Sequence, residues 1–184
     1  MTASPPLRDL SGGVAIVCAD GACTVPEIPV NDNRKDTMSV TISADLRFEV
    51  LDLVYRYATG IDTRDWDLFR TVFTDDAEVD FGFARWESGD AFSAFMQETH
   101  DPAGRTLHRM TNTVITGVDP LTARTYGDAL VLEGDNLAGT IANAWYDDET
   151  VRTDSGLRIR RRIVRMGSMV NVGPNLVAQP SRNG

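Results

Sequence analysis

Apolar residues recur every three or four positions from residue 46 onward, which is the spacing of one face of an α-helix. Ser43 is a favourable N-cap in front of this stripe, and Gly60 near its end is typical of a helix C-terminus. The pattern predicts a helix of about 17 residues that begins after residue 43 and buries one face. The residues of that face are Leu46, Val50, Leu53, Val54, Tyr57 and Ile61.

Two shorter helices and a series of strands follow. Apolar positions from Trp66 to Phe73 predict a second helix, and those from Ser88 to Thr99 predict a third, with an alternating strand from Ala77 to Phe83 between them. Helices first and adjacent strands afterwards are typical of an α+β fold with a mostly antiparallel sheet. A sheet that curves around the first helix would enclose a largely apolar cavity. The four later strands are expected at about residues 106–116, 122–133, 137–149 and 157–170.

Length and charge restrict the class of protein. A chain of 184 residues that is 42% hydrophobic and 24% charged fits one globular domain with its own core. The net charge of −9 disfavours a nucleic-acid partner, because phosphate binding needs clustered Lys and Arg. No apolar run approaches the roughly 20 residues of a membrane span, so we expect no membrane partner.

The two ends of the chain differ in composition from its middle. Prolines, glycines and a polar run predict a flexible N-terminal extension over residues 1–42, followed by a folded domain over 43–172 and a C-terminal tail over 173–184. Cys18 and Cys23 are too few for a structural zinc site, which takes four ligands. The N-terminal stretch lacks the charged and apolar regions of a signal peptide. We therefore expect a reduced, cytoplasmic protein without a bound metal.

Two residues of this domain are suited to proton transfer. Asp62 follows the first predicted helix, and His108 lies in the first long strand. Histidine has an ordinary pKa of about 6.5, and a carboxylate partner fixes its tautomer and raises its basicity. An Asp–His pair in an apolar pocket can therefore remove a proton from carbon or oxygen without a cofactor.

Other roles for the same residues stay open at this level. Asp62 also fits the N-cap of the second helix, where aspartate is favoured, and His108 also fits a hydrogen-bonded core position. Asp80, on the alternating strand, is an alternative base. His100 stands just before an Asp-Pro pair, where we expect a surface loop.

The stretches IDTRDWDLF, over residues 61–69, and FTDDA, over residues 73–77, resemble the opening signature of the SnoaL-like members of the nuclear transport factor two-like superfamily. The resemblance implies a cone of curved sheet with three helices, of the kind called a cystatin-like α+β barrel. Within it, Asp-x-x-Asp-Trp-Asp is most similar to scytalone dehydratase. In that enzyme and in hexachlorocyclohexane dehydrochlorinase, an aspartate matched by Asp62 pairs with a histidine matched by His108. Arg152 falls near an arginine that the dehydrochlorinase uses at its site.

The chain also departs from these relatives. The strand that carries a second histidine in scytalone dehydratase reads TIANAW here, over residues 140–145, and Phe81 replaces an expected tyrosine. Tyr57 matches a tyrosine of ketosteroid isomerase, whose base would fall on Phe81 or Asp80. The Arg-x-Asp of limonene epoxide hydrolase is spelled in the domain only at a turn, in residues 152–154. These departures disfavour scytalone, steroids and epoxides as substrates.

The resemblance implies a cofactor-independent lyase of dehydratase or dehydrohalogenase type, or an isomerase. In it, Asp62 orients His108, which abstracts a proton from a small hydrophobic molecule, with cyclic compounds included. The alternatives are a non-catalytic ligand-binding or oligomerisation module and a polyketide cyclase. Because the superfamily forms dimers and trimers, we expect a homodimer or a homotrimer. Residues expected to bind the substrate are Tyr57, Phe81, Phe83, Trp86, Met110, Asn112, Trp145 and Arg152.

Overall fold

The computed structural model describes residues 41–173 together with two short strands near the N-terminus, β1 (Val17–Ala19) and β2 (Ala22–Thr24). β1 and β2 pair antiparallel, with Cys18 opposite Cys23 in the register. The rest of the predicted extension and the tail beyond residue 173 lie outside the described residues. The predicted flexibility of these segments and the reduced state of the cysteines therefore stay predictions.

The helices begin where short polar side chains cap them. The Ser43 side chain accepts a hydrogen bond from the Leu46 amide at 3.1 Å, and Asp65 and Ser88 cap the next two helices in the same way. The three predicted helices are confirmed, and in the described residues they are α1 (Ala44–Thr63), α2 (Trp66–Arg70) and α3 (Gly89–His100).

α1 and α2 approach closely at Gly60. A Cβ atom at this position would lie 2.8 Å from Cβ of Phe69 and 2.9 Å from its Cα, closer than real Cβ atoms come. The glycine therefore serves this close packing, and α1 continues beyond it to Thr63. As a result, Asp62 lies in the last turn of α1 rather than after it.

The remaining strands form one six-stranded sheet in the order β4-β3-β8-β7-β6-β5. β3 and β8 are parallel, and the other neighbouring pairs are antiparallel. The sheet is curved and unclosed, with β4 and β5 at its edges, so the predicted α+β class and cone are confirmed without a closed barrel. The strands are β3 (Phe73–Asp80), β4 (Arg85–Trp86), β5 (Thr106–Val118), β6 (Leu121–Leu132), β7 (Gly139–Thr153) and β8 (Gly156–Val172).

The strand that follows α2 starts and ends earlier than predicted. It runs from Phe73 to Asp80 rather than from Ala77 to Phe83. The chain turns at Gly82, whose φ of +79° suits glycine and whose amide donates to Oδ1 of Asp80 at 2.7 Å. Phe83 is consequently 72% exposed at this turn.

The core lies between α1 and the inner face of the sheet. Tyr57, Phe69, Phe73 and Phe92 are fully buried, and their rings contact one another. These side chains fill the interior around the first helix, where the sequence predicted a cavity.

The inner face opens toward one end of the sheet. The register places His108, Ala129, Ala142 and Met169 side by side across β5, β6, β7 and β8. The two alanines of this row are partly exposed and Met169 is exposed, whereas Tyr146, further along β7, is buried. His108 therefore lies at the boundary between the packed core and the open end.

β5 carries a bulge at Asn112. The pairing with β6 shifts between Thr111 and Val114, and Asn112 adopts φ of 51°, a left-handed conformation that asparagine tolerates. The extra residue lets His108, before the bulge, and Ile115, after it, both face inward.

Candidate active site

Asp62 is held in the last turn of α1 and does not cap the second helix. The N-cap of α2 is Asp65, whose side chain accepts a hydrogen bond from the Leu68 amide at 2.9 Å. The N-cap role that the sequence left open for Asp62 is therefore wrong. Its carboxylate instead points toward the start of β5.

Asp62 and His108 form a hydrogen-bonded pair. Oδ1 of Asp62 lies 2.7 Å from Nδ1 of His108, and Oδ2 accepts the His108 backbone amide at 2.7 Å. The hydroxyl of Thr106 donates to Oδ1 at 2.9 Å. The His108 side chain is 6% exposed and that of Asp62 is 20% exposed. The structure thus brings together the two residues that the sequence proposed as a catalytic pair.

The hydrogen bonds define the charge of Asp62 and the tautomer of His108. Burial alone raises the pKa of Asp62, but the hydrogen bonds from His108 and Thr106 outweigh it, so the pKa lies below the ordinary value. The carboxylate is therefore ionised at neutral pH and accepts only. Nδ1 of His108 must carry the hydrogen, which leaves Nε2 of the neutral ring with a free lone pair.

Arg64 connects the end of α1 to the start of β5. It is the C-cap of α1 and adopts φ of 57°, an uncommon conformation for a residue with a side chain. Its guanidinium donates to the Thr106 hydroxyl at 2.9 Å and to the Gly104 carbonyl at 3.0 Å. Since Thr106 in turn donates to Asp62, Arg64 helps to position the carboxylate.

His100 is a site residue that the sequence reasoning missed. It is the last residue of α3 and partly buried, not a loop residue, and its ring centroid lies 5.9 Å from that of His108. The signal was present in the sequence: Phe92, Met96 and His100 are four residues apart, which places them on one helix face. That face is buried at Phe92 and Met96.

Tyr57 lies behind the dyad, within the core. Its ring packs edge-on to His108 at 6.5 Å, but the residue is only 1% exposed. Burial, and then the neighbouring Tyr146, raise the pKa of Tyr57 far above its ordinary value. Tyr57 therefore packs against the His108 ring from the core side. Its buried position does not suit the substrate-binding role that the sequence predicted.

A fully buried ion pair stacks on these tyrosines. Arg162 donates to both carboxylate oxygens of Asp148, at 2.7 and 2.8 Å. Its guanidinium lies 4.3 Å from the ring centroid of Tyr57 and 4.8 Å from that of Tyr146. Nη1 of Arg162 has no hydrogen-bond partner among the described residues.

The other predicted substrate-binding residues divide into near and distant ones. Met110 follows His108 on the inner face of β5, two residues along the strand. Phe81, Phe83 and Trp86 form an aromatic cluster with one another and with the buried face of α3. Met110 is therefore the near residue, whereas the aromatic cluster lies against α3 and its Phe83 is exposed at the turn.

Three predicted residues are not brought to the dyad. Trp145 alternates with the buried Tyr146 and so lies on the outer face of the sheet, and Asn112 is exposed in the bulge of β5. Arg152 pairs with Glu49, which precedes Asp62 by 13 residues on α1, or about 20 Å along the helix axis. The alternation of β7, the bulge of β5 and the length of α1 account for these separations.

The larger clefts also lie away from the dyad. Three cavities of about 460, 450 and 530 Å³ have linings rich in charged side chains, and none of the three is lined by Asp62 or His108. Across the described part of the chain, no three His, Cys, Asp or Glu side chains are grouped as a metal site. Nor does any described helix have the length and apolar character needed to cross a membrane.

Several solved structures share this architecture. The hexachlorocyclohexane dehydrochlorinase LinA Type2 superposes with a TM-score of 0.62 at 21% identity, over 73% of this chain and 94% of that protein. A scytalone dehydratase candidate from Novosphingobium aromaticivorans DSM 12444 gives 0.63 at 18% identity, over 72% and 95%. ActVI-ORFA from Streptomyces coelicolor gives 0.58 at 23% identity, over 67% and 98%. At these identities the similarity establishes the fold.

The fold and the site together define a cone-shaped α+β domain with an aspartate–histidine pair on its inner side. The sequence of residues 43–163 matches the SnoaL-like domain, and the chain belongs to that family. Uncharacterized proteins of Mycobacterium tuberculosis and Mycobacterium bovis are each 30% identical to it over 134 residues, which cover 70% of this chain and 90% of theirs.

Proposed function

We propose that this protein is a cofactor-independent lyase, of dehydratase or dehydrohalogenase type, that acts on a small hydrophobic molecule. The observation that carries the proposal is the contact of 2.7 Å between Oδ1 of Asp62 and Nδ1 of His108. This contact leaves Nε2 of His108 as a base on the inner side of the domain. The similarity to a dehydrochlorinase supports the reaction class through the shared fold.

In the proposed reaction, Nε2 of His108 takes a proton from a carbon of the substrate. The electron pair of that C–H bond forms a double bond to the neighbouring carbon, and the leaving group departs from the latter with its own bonding pair. The imidazolium is stabilised by the ionised Asp62 at Nδ1. A departing hydroxide takes up the proton and leaves as water, whereas a halide leaves as the anion and the proton passes to solvent.

The surroundings of His108 favour an apolar substrate. Ala129 and Ala142 present only methyl groups in the same row, and Met110 lies two residues along β5. The exposed Met169 continues the row toward the open end of the sheet. Small and apolar side chains beside a half-open face suit a compact hydrophobic molecule.

A second candidate function is that of a non-catalytic binding or oligomerisation module. Two observations favour it. The interior around Phe69, Phe73 and Phe92 is packed, and three clefts of the domain are lined by neither residue of the dyad. An isomerase or cyclase that uses another carboxylate would rely on Asp80. That side chain binds Arg85 and the Gly82 amide, which hold its pKa below the ordinary value, so it is a weak base.

Elimination assays on matched variants test the proposed function. The purified protein is incubated with a phenyl-substituted β-hydroxy ketone and with a chlorinated cyclohexane, and loss of water or chloride is followed. We expect turnover of at least one probe, reduced about 10²–10⁴-fold in His108→Gln and in Asp62→Asn. Asp76→Asn, which changes an exposed acid of β3, is the control and should keep the wild-type rate. No turnover of either probe, or equal rates in all variants, would favour the binding module.

A further inference from the structure

The second histidine of the domain lies beside His108. His100 ends α3, and its ring lies 5.9 Å from His108 and 6.5 Å from Trp66, measured between ring centroids. Trp66 is held in turn by a hydrogen bond from its indole nitrogen to Oδ1 of Asp101 at 2.9 Å. Two imidazoles and an indole therefore border one region at the end of the first and third helices.

The hydrogen bonds of His100 determine which ring nitrogen is free. Nδ1 lies 2.9 Å from the Met96 carbonyl oxygen, which can only accept, so Nδ1 carries the hydrogen. The Thr99 hydroxyl lies 3.0 Å from Nδ1 and donates to the Phe95 carbonyl at 2.9 Å, so it does not need to donate to Nδ1. Nε2 of the neutral ring is therefore an acceptor, and no described residue donates to it.

The charges around His100 keep the ring neutral. Burial lowers the pKa of His100, and the positive charges of Arg64 and of a protonated His108 lower it further. The hydrogen bond to Met96 and the negative charge of Asp62 act in the opposite direction but do not outweigh burial. At neutral pH His100 thus offers a lone pair and no positive charge.

From this arrangement we infer that His100 contacts the substrate, and that its Nε2 accepts a hydrogen bond from a hydroxyl group next to the carbon from which His108 takes the proton. The inference rests on the proposed function, and it narrows the substrate class to hydroxylated apolar compounds, aromatic ones included. A halogen at the same place donates no hydrogen bond and would leave Nε2 without a partner. His100 is then a substrate-binding residue that favours hydroxylated over halogenated compounds.

Binding of two molecules of nearly equal shape tests this inference without reference to turnover. β-Naphthol and β-methylnaphthalene are titrated into the full-length protein, and the imidazole ¹⁵N and carbon-bound proton signals are followed by NMR. We expect β-naphthol to bind about tenfold more tightly and to move the unprotonated Nε2 signal of His100 upfield, as a hydrogen bond does. His100→Phe should bind both compounds with equal affinity, and His100→Gln identifies the His100 signals.

Each alternative result overturns the inference. Equal affinities in the wild type, a preference for β-naphthol that persists in His100→Phe, or no binding of either compound would do so. If His100→Phe does not fold, the Nε2 signal of the wild-type protein decides alone, and an unmoved signal in the presence of bound β-naphthol refutes the contact. His108→Gln should keep the preference for the hydroxyl compound. A preference for β-naphthol in a wild-type protein that eliminates neither water nor chloride from the probes would refute the proposed function and leave the His100 contact standing.

Discussion

Asp62 holds His108 at two points, because one carboxylate oxygen lies against the imidazole Nδ1 and the other accepts the backbone amide of the same residue. The side chain and the main chain of His108 are thus fixed by a single group on another element. This double contact orients Nε2 more firmly than a side-chain contact alone could.

Replacement of Asp62 by asparagine should disturb this arrangement more than the loss of one charge suggests. Three donors converge on the two carboxylate oxygens: the imidazole and the amide of His108, and the hydroxyl of Thr106. An amide offers one acceptor oxygen and turns the other position into a donor, so one contact becomes donor against donor. We expect Asp62→Asn to lower the free energy of unfolding by about 1–3 kcal/mol, measured in urea. A loss below that of the exposed control Asp76→Asn would contradict the assignment.

Arg64 should matter for stability because its guanidinium joins the end of α1 to the start of β5. Arg64→Ala removes the hydrogen bonds to the Thr106 hydroxyl and to the carbonyls of Gly104 and Ile61, and each such bond is worth about 0.5–1.5 kcal/mol. The matched control is Arg109→Ala, which removes an exposed ion pair with Asp128 and should change stability by less than about 1 kcal/mol. Chemical denaturation of both variants measures the difference. Equal costs would show that Arg64 does not fix the start of β5.

The dependence of stability on pH should reveal the lowered pKa of His100. Its pKa in the folded protein lies below the unfolded value of about 6.5, so the unfolded chain binds the proton more readily in the window just below that value. The stability that the neutral His100 ring contributes is therefore fully present above the unfolded pKa, and it falls as the pH decreases toward the folded pKa. Between pH values of about 7.5 and 5.5, the wild type should lose more stability than His100→Gln. Identical losses in urea titrations would argue against a buried neutral ring.

The buried ion pair of Arg162 and Asp148 should respond very differently to single and double replacement. Asp148→Leu alone leaves a cation in the core without its partner, which typically costs about 3–5 kcal/mol. Replacing both residues, as in Arg162→Met with Asp148→Leu, removes the charges together and should cost clearly less than the sum of the two single variants. Thermal unfolding of the three variants measures this coupling. Additive costs would mean that the pair does not interact.

The pairing of Asp62 with His108 was predicted from the family resemblance, because the spacing of the two residues alone also allowed a helix cap and a core histidine. The apolar stripe of α1 places Asp62 at a helix end, and the alternation of β5 places His108 on one face of a strand. What the sequence did not reveal is how far α1 extends. Gly60 indicated a terminus, but the close approach of Phe69 requires a glycine inside the helix.

Other differences arise from packing that periodicity cannot report. Trp145 was expected in the site as one of the aromatic residues available to line it, whereas its alternation with the buried Tyr146 places it on the outer face of β7. Aromatic rings pack the interior beside α1, and the predicted hydrophobic pocket stays a prediction. His100 precedes a turn-forming Asp-Pro pair, which indicated a loop, whereas its spacing from Met96 places it on the buried face of α3.

The bulge at Asn112 divides β5 into two halves with different tasks. The half before it carries His108 toward the open end, and the half after it carries Ile115 into the core. Removal of this one residue would reverse the alternation of one half relative to the other, so that either the base or the core residue would turn outward. The strand length here is therefore under stricter constraint than its exposed side chains suggest, and relatives that gain or lose a residue at this point should differ in chemistry rather than in fold.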